Sequence, residues 1–252
     1  MIHSVTFNSN RGNAPDFVAN VQKFYLTNNI QTVIVPDGAT SAIIKAVGAG
    51  GGDDNIAGGN GKFISATTLV NPGDTWQIYV GGPGVDGKKQ GQGDGWLSGG
   101  GGGGSSGITN GANDPLIVAA GGGGGGTTNY GGWQEAQGLV AFGSGSPNGG
   151  IAKMDSHCVA GSWAQAGGFG YGYGGNGSKA CGFGKEGGGG GGGGYVGGSG
   201  SLDRSMTGQG GFSYIKSSLT NQVAGAWNSH GDTNLAGFGS TATQGIVVIY
   251  WL

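Results

Sequence analysis

The sequence predicts an all-β fold, a β-sandwich or jelly-roll-like domain carrying a packed bundle of polyglycine helices. Three observations predict it: short apolar segments of strand character bounded by turn residues, long glycine runs between them, and too little charge for a solvated, disordered chain. The chain holds 67 Gly and 6 Pro among 252 residues, about 29%, a range in which aperiodic sequences are usually of low complexity. Disorder also calls for low hydrophobicity and high charge, whereas this chain is 35% hydrophobic and 10% charged, with a net charge of -2. No strict Gly-X-Y register is present, which excludes a collagen triple helix.

The strand signals come in order. Asn20 to Leu26 is rich in β-branched and aromatic residues, although Phe17, Val21, Phe24 and Tyr25 also recur at helical spacing over 16–25. Thr32 to Val35 stops at the turn Pro36-Asp37-Gly38 and Ser41 to Val47 resumes, which reads as a hairpin. Lys62 to Val70, the turn Asn71-Pro72-Gly73-Asp74 and Thr75 to Val80 read as a second hairpin, with Trp76, Ile78 and Val80 on one face. Pro115 to Ala120, Phe212 to Lys216 and Ile246 to Trp251 add three more, the last apolar on both faces and therefore expected in a central, covered position. About eight strands suffice for a sandwich.

Between them lie Gly99 to Gly104, Gly121 to Gly126 and Gly187 to Gly194. Ordering a glycine costs roughly 0.5–1 kcal/mol more than ordering an alanine, so ordering dozens costs on the order of tens of kcal/mol. An extended threefold helix turns its N–H and C=O groups outward, and buried backbone groups must find partners. Lateral bundling satisfies them, because helices without side chains approach closely enough to hydrogen-bond on several sides. Such tracts are expected to stack on or beside the sandwich as a solid layer.

The charge balance, 11 Lys+Arg against 13 Asp+Glu, leaves no footprint for nucleic acid or an anionic membrane. The longest glycine-free apolar run, Ile246 to Leu252, falls short of the roughly 20 residues of a transmembrane helix, so no membrane insertion is expected. The first residues lack a basic start followed by an apolar core, so no secretory signal is read. Cys158 and Cys181 are too few for a disulfide framework and lack CxxC spacing; they either form one bridge across a pair of Gly-rich loops or stay two thiols.

Catalytic and cofactor motifs fail on inspection. GxGxxG recurs only because glycine is everywhere, and no copy follows a strand and opens a helix. Gly59-Asn60-Gly61-Lys62 and Gly182-Phe183-Gly184-Lys185 carry Phe63 and Glu186 where a phosphate loop needs Ser or Thr. His3, His157 and His230 are isolated from one another, so no metal site and no cofactor is expected. Asp53-Asp54, Asp86, Asp94, Asp203 and Asp232 sit in Gly-rich turns, where capping is the plain role and Ca²⁺ ligation the competing one. The aromatic residues among the glycines are more suggestive. Trp96, Trp133, Trp163, Tyr171, Tyr173 and Trp227 are large flat groups suited to stacking on sugar rings or anchoring a protein partner. Their competing role is to cap the edges of the glycine bundle.

The stretch Thr32-Val33-Ile34-Val35-Pro36-Asp37-Gly38-Ala39-Thr40, running into Lys45-Ala46-Val47-Gly48-Ala49-Gly50-Gly51-Gly52, resembles the opening of glycine-rich β-sandwich modules. That resemblance continues with Asn71-Pro72-Gly73-Asp74-Thr75, Ile78-Tyr79-Val80-Gly81-Gly82 and Pro115-Leu116-Ile117-Val118-Ala119-Ala120 before Gly121 to Gly126, while Gly168-Phe169-Gly170 with Cys181, Gly187 to Gly194 and Tyr195-Val196-Gly197-Gly198 are similar to the glycine-rich extracellular module of the anaplastic lymphoma kinase family. The same glycine logic is that of tail-fibre-tip adhesins of T-even-type phages. The resemblance covers most of the chain from about residue 20. It implies polyglycine helices attached to β structure, with intervening loops that bind a partner. The chain has no kinase segment and no recognisable fibre-docking domain at its N-terminus.

The resulting expectation is a non-enzymatic phage virion protein, a tail-fibre or spike adhesin, made in the host cytoplasm and recognising a host surface glycan or outer-membrane protein. Residues 1–30 are expected to form an N-terminal assembly or attachment segment contacting other virion proteins, and residues 31–252 the glycine-rich domain. A homotrimer is the assembly that β-rich fibre modules commonly adopt. The alternatives are a purely structural virion component, such as a head fibre, decoration or connector subunit, and a glycan hydrolase, which needs a carboxylate pair flanking a cleft.

Overall fold

The computed structural model describes residues 20–53, 57–84, 86, 100–110, 114–126, 189–195, 197–198 and 207–252. The fold is all-β. The described residues hold ten strands, β1 (Asn20–Phe24), β2 (Gln31–Ile34), β3 (Ser41–Val47), β4 (Lys62–Leu69), β5 (Thr75–Tyr79), β6 (Ser106–Asn110), β7 (Asp114–Ala119), β8 (Tyr214–Ile215), β9 (Thr220–Ala226) and β10 (Ile246–Trp251). They form two five-stranded antiparallel sheets, ordered β1-β10-β3-β4-β9 and β2-β5-β6-β7-β8.

Strand alternation builds the core between the sheets. Ala42, Ile44 and Ala46 of β3, Ile64 and Ala66 of β4, and Val247, Ile249 and Trp251 of β10 meet Val33, Trp76, Ile78, Ile108 and Ile117 of the second sheet. The rings of Trp76 and Trp251 lie 5.2 Å apart at 35°, and the Trp251 indole N–H donates to Gln22 Oε1 of β1 at 3.1 Å. Strand β10 lies between β1 and β3, almost wholly buried, as its doubly apolar sequence predicts. Residues 20–24 form a strand, not a helix; although grouped by sequence with the N-terminal segment, they pair with β10 in register Asn20↔Trp251 to Phe24↔Val247.

Neither expected hairpin forms. Strand β2 pairs with β5, β3 with β10 and β4, and β5 with β6, so the turns at 36–38 and 71–74 each join strands of opposite sheets. The reason is burial: Val35, Ala39 and Val70 are driven onto the end of the core, and their loops cross the roughly 10 Å between sheets instead of turning back within one.

Strands β6 and β9 carry no clear signal. Ser106-Gly-Ile-Thr-Asn is embedded in glycine, and Thr220 to Ala226 lacks apolar alternation and is mostly exposed.

The glycine tracts also depart from expectation, running in line with the strands instead of stacking beside them. Strands β3, β5 and β7 lead into residues 48–53, 80–84 and 120–126, while 57–61, 100–105 and 207–213 lead into β4, β6 and β8. The registers Val47↔Phe63, Val47↔Ile246, Tyr79↔Gly107 and Ser106↔Ala119 put all these junctions at one end of the sandwich, the glycine pole. The opposite pole carries the loops at 35–40, 70–74 and 216–219, together with Asn20 and Leu252.

Between β9 and β10 the chain forms a strap, residues 227–238, across the outer face of the first sheet. Its Leu235, in a short 3-10 helix (Thr233–Leu235), is fully buried against Val47, Phe63, Ile246 and Val248, with Trp227, Phe238 and Tyr250 packed around them.

Candidate functional site

The glycine pole is held mainly by backbone–backbone hydrogen bonds. Along residues 48–52 the N–H groups donate in turn to Lys62 O, Gly104 O, Thr243 O, Gly59 O and Gly101 O, so the neighbour addressed recurs every three residues. The same recurrence holds in residues 121–125, where Gly121 and Gly124 donate to Gly193 and Gly190 while Gly122 and Gly125 donate to Ala49 and Gly52. Gly190 and Gly193 donate to Gly100 and Gly103, and Gly208 and Gly211 to Gly124 and Gly121. Residues 120–126 thereby touch five other segments. Bonds of 2.7–3.0 Å replace side-chain packing here, and a Cβ on Gly51, Gly103, Gly122 or Gly124 would collide with the carbonyl of a neighbouring segment.

This lattice fixes where the connecting loops start and finish. Residues 48–53, 81–84 and 120–126 run away from the sandwich, and 57–61, 100–105 and 207–212 run back towards it. Gly189 to Gly194 returns antiparallel to 121–125 and ends where Tyr195 stacks on Tyr214 of β8, ring centroids 4.3 Å apart. Segments 87–99 and 127–188 therefore both join the lattice at its outer end. Trp96 falls in the first, and Trp133, Trp163, Tyr171, Tyr173, Cys158 and Cys181 in the second, all outside the described residues. Residues 1–19 adjoin Asn20 at the opposite pole and lie outside them too.

Trp227 is the one predicted aromatic whose surroundings are described. It is partly buried on the strap, beside the Val47–Phe63–Leu235 cluster, and not at the outer end of the lattice. Among the acidic residues, Asp53 accepts from Gly58 N at 2.8 Å and Asp232 from Asn234 N at 2.9 Å, each a local capping bond, whereas Asp86 accepts from Asp53 N at 3.1 Å and so links two segments far apart in sequence. Asp54, Asp94 and Asp203 lie outside the described residues. No group of three potential metal ligands occurs among the described residues, and no helix there is long and apolar enough to cross a membrane.

Sequence reasoning missed a polar cluster beneath the strap. Lys45 Nζ of β3 meets Asp232 Oδ2 at 2.7 Å, Tyr250 OH donates to the same oxygen, and Asn234 Nδ2 donates to Tyr250 OH at 2.8 Å. Burial alone would raise the Asp232 pKa, but hydrogen bonds from Lys45, Tyr250 and the Asn234 N–H outweigh it and hold the carboxyl at about 2. Burial and the bond to Asp232 both push the Tyr250 phenol up. The only hint in the sequence is a lysine at position 45 inside an otherwise apolar strand. Its partners are 187 and 205 residues away, a distance no local pattern spans.

No family model matches this chain, and no curated protein sequence matches it.

Proposed function

We propose that this chain is a non-enzymatic phage virion adhesin, of tail-fibre or spike type, whose glycine tracts are threefold polyglycine helices. The three-residue recurrence of hydrogen-bond partners along residues 48–52 and 121–125 supports the helices. The observation that carries the adhesin reading is polarity. Segments 87–99 and 127–188, which bear five of the six candidate aromatics, join the glycine lattice at one end, while residues 1–19 join the sandwich at the other. One end is free to attach to other virion proteins and the other to meet a host surface glycan or outer-membrane protein. A rigid base without side chains suits this task, because loop sequence can vary without disturbing it.

The test is binding of the purified chain to intact cells and envelope extracts from a panel of bacteria. Saturable binding to some strains, abolished by exchanging residues 127–188 for a short Gly-Ser connection, is expected. Binding to every strain indistinguishable from that of a neutral control protein overturns the reading and leaves a purely structural virion component.

A further inference from the structure

The strap covers only half of the outer face of the first sheet. Near the glycine pole it seals Val47, Phe63, Ile246 and Val248 beneath Leu235. Towards the opposite pole the outward residues are Val21 of β1, Tyr250 of β10, Ile43 of β3 and Thr67 of β4, set side by side by the strand registers. Beyond them Leu252 and Leu69 flank Ser41. None of these side chains is charged at neutral pH; Lys23 and the Lys45–Asp232 pair lie one row nearer the glycine pole. Val21 and Leu252 are each 43% exposed, and Leu69 is 87% exposed. Four adjacent strands thus present an apolar strip that nothing among the described residues covers.

Size narrows what fits it. With strands about 4.8 Å apart and a rise of about 3.3 Å per residue, the strip is roughly 15–20 Å wide and 10 Å deep. That is well under the roughly 800 Å² per partner that a stable complex of two folded proteins buries. It has room for one extended segment, as the other half of the face has room for the strap.

Chain position and composition supply the segment. Residues 1–19 reach the sheet at Asn20, on the rim of the strip. Residues 2–10 contain no Lys, Arg, Asp or Glu, and Val5 and Phe7 alternate within them. Gly12-Asn13-Ala14-Pro15 carries turn chemistry between them and Asn20. A chain that reverses at the centre of that turn brings Phe7 level with Asn20 and Val5 level with Gln22.

We infer that the bare half of this face is the docking site of the chain's own N-terminal segment, with Val5 and Phe7 laid across Val21, Ile43, Leu69 and Leu252. This stands whether or not the chain is an adhesin. If it is one, the pole assigned to attachment is a packed surface whose outer layer is residues 1–19.

The test is NMR of the full-length chain with labelled Leu and Val methyl groups. Nuclear Overhauser contacts from the Phe7 ring to the Leu69 and Leu252 methyls are expected, in a species that sediments as a monomer. Phe7→Asp should abolish them and shift the Val21, Leu69 and Leu252 methyl signals, while those of Ile78 and Ile117 in the second sheet's core stay in place in an isoleucine-labelled sample. Leu69→Asp should likewise remove the contact between Phe7 and Leu252. Should Leu69→Asp fail to fold, Phe7→Asp, which alters no described residue, carries the test alone. Absence of the contacts in wild type, or methyl signals unmoved by Phe7→Asp, overturns the inference. Contacts that appear only between differently labelled copies overturn it too, and give the strip to a second copy of the chain.

Discussion

Gly122 donates its backbone N–H to Ala49 O at 2.9 Å, and this bond joins the two sheets beyond their last strand residues. Ala49 continues β3 of one sheet and Gly122 continues β7 of the other. In most sandwiches facing sheets touch only through side chains. Here the strands of both sheets run on into a common backbone lattice.

That arrangement makes glycine substitutions separable. Gly51→Ala would drive its Cβ into the Gly123 carbonyl, and is expected to cost more than about 3 kcal/mol or to prevent folding. Gly82→Ala, whose Cβ would sit 3.6 Å from Leu26 Cδ2, should change stability by less than about 0.5 kcal/mol. Gly73→Ala meets no atom but has φ +87°, which implies a loss of about 1 kcal/mol. Urea unfolding midpoints should fall in the order Gly82→Ala, Gly73→Ala, Gly51→Ala.

The opposite sign is expected at Ala242, a non-glycine residue at φ 56° in the turn before β10. Ala242→Gly relieves left-handed strain and should stabilise by about 0.5–1 kcal/mol, seen as a higher Tm. Its N–H bond to Gly51 O survives the change.

Asp232 should dominate stability in strong acid. Its folded pKa of about 2 lies below the ordinary 3.8, so its contribution is complete above the ordinary value and is lost as pH falls through about 2. The shift corresponds to about 2 kcal/mol. Asp232→Asn should therefore be less stable than wild type at pH 7 by about that amount, and the two should converge by pH 2 in urea titrations.

Gln22 is the acceptor for the buried Trp251 indole. Gln22→Leu leaves that N–H unpaired and should cost about 1–3 kcal/mol. Exchange protection should fall first along β1, the edge strand it ties to β10.

The aromatics should divide into two kinds. Trp133→Ala and Trp163→Ala are expected to reduce cell binding by at least about tenfold with unchanged Tm. Trp227→Ala, which removes a ring packed on the strap cluster, should lower Tm and leave binding intact. Measuring both quantities on each variant separates recognition from packing.

The legible parts of the fold were those in which side chains dictate local structure. Alternation in Ser41 to Val47 and Thr75 to Val80 predicted β3 and β5, and the doubly apolar Ile246 to Trp251 predicted a covered strand. Pairing was not legible, because Pro36-Asp37-Gly38 satisfies a hairpin and a sheet-to-sheet crossing equally well; burial of Val35 and Ala39 decides between them. Strand β6 was hidden because Gly107 and Ser106 carry no β signature; both are buried where a lattice segment becomes a strand. The Lys45–Asp232–Tyr250 cluster needed three distant segments to converge. Of the candidate binding residues, only Trp227 had its surroundings described.

The strands and the glycine segments share one axis, and their hydrogen bonds cross that axis. A pull applied between the outer end of the lattice and Asn20 therefore loads the bonds in shear, many together, instead of peeling them one at a time. Because β1, the edge strand that receives such a pull, is hydrogen-bonded along its length to the interior strand β10, tension passes at once from the edge of the sheet to a buried strand. On the proposed adhesin reading, a particle tethered through this molecule would be held by collective mechanical resistance that the affinity of its loops does not set.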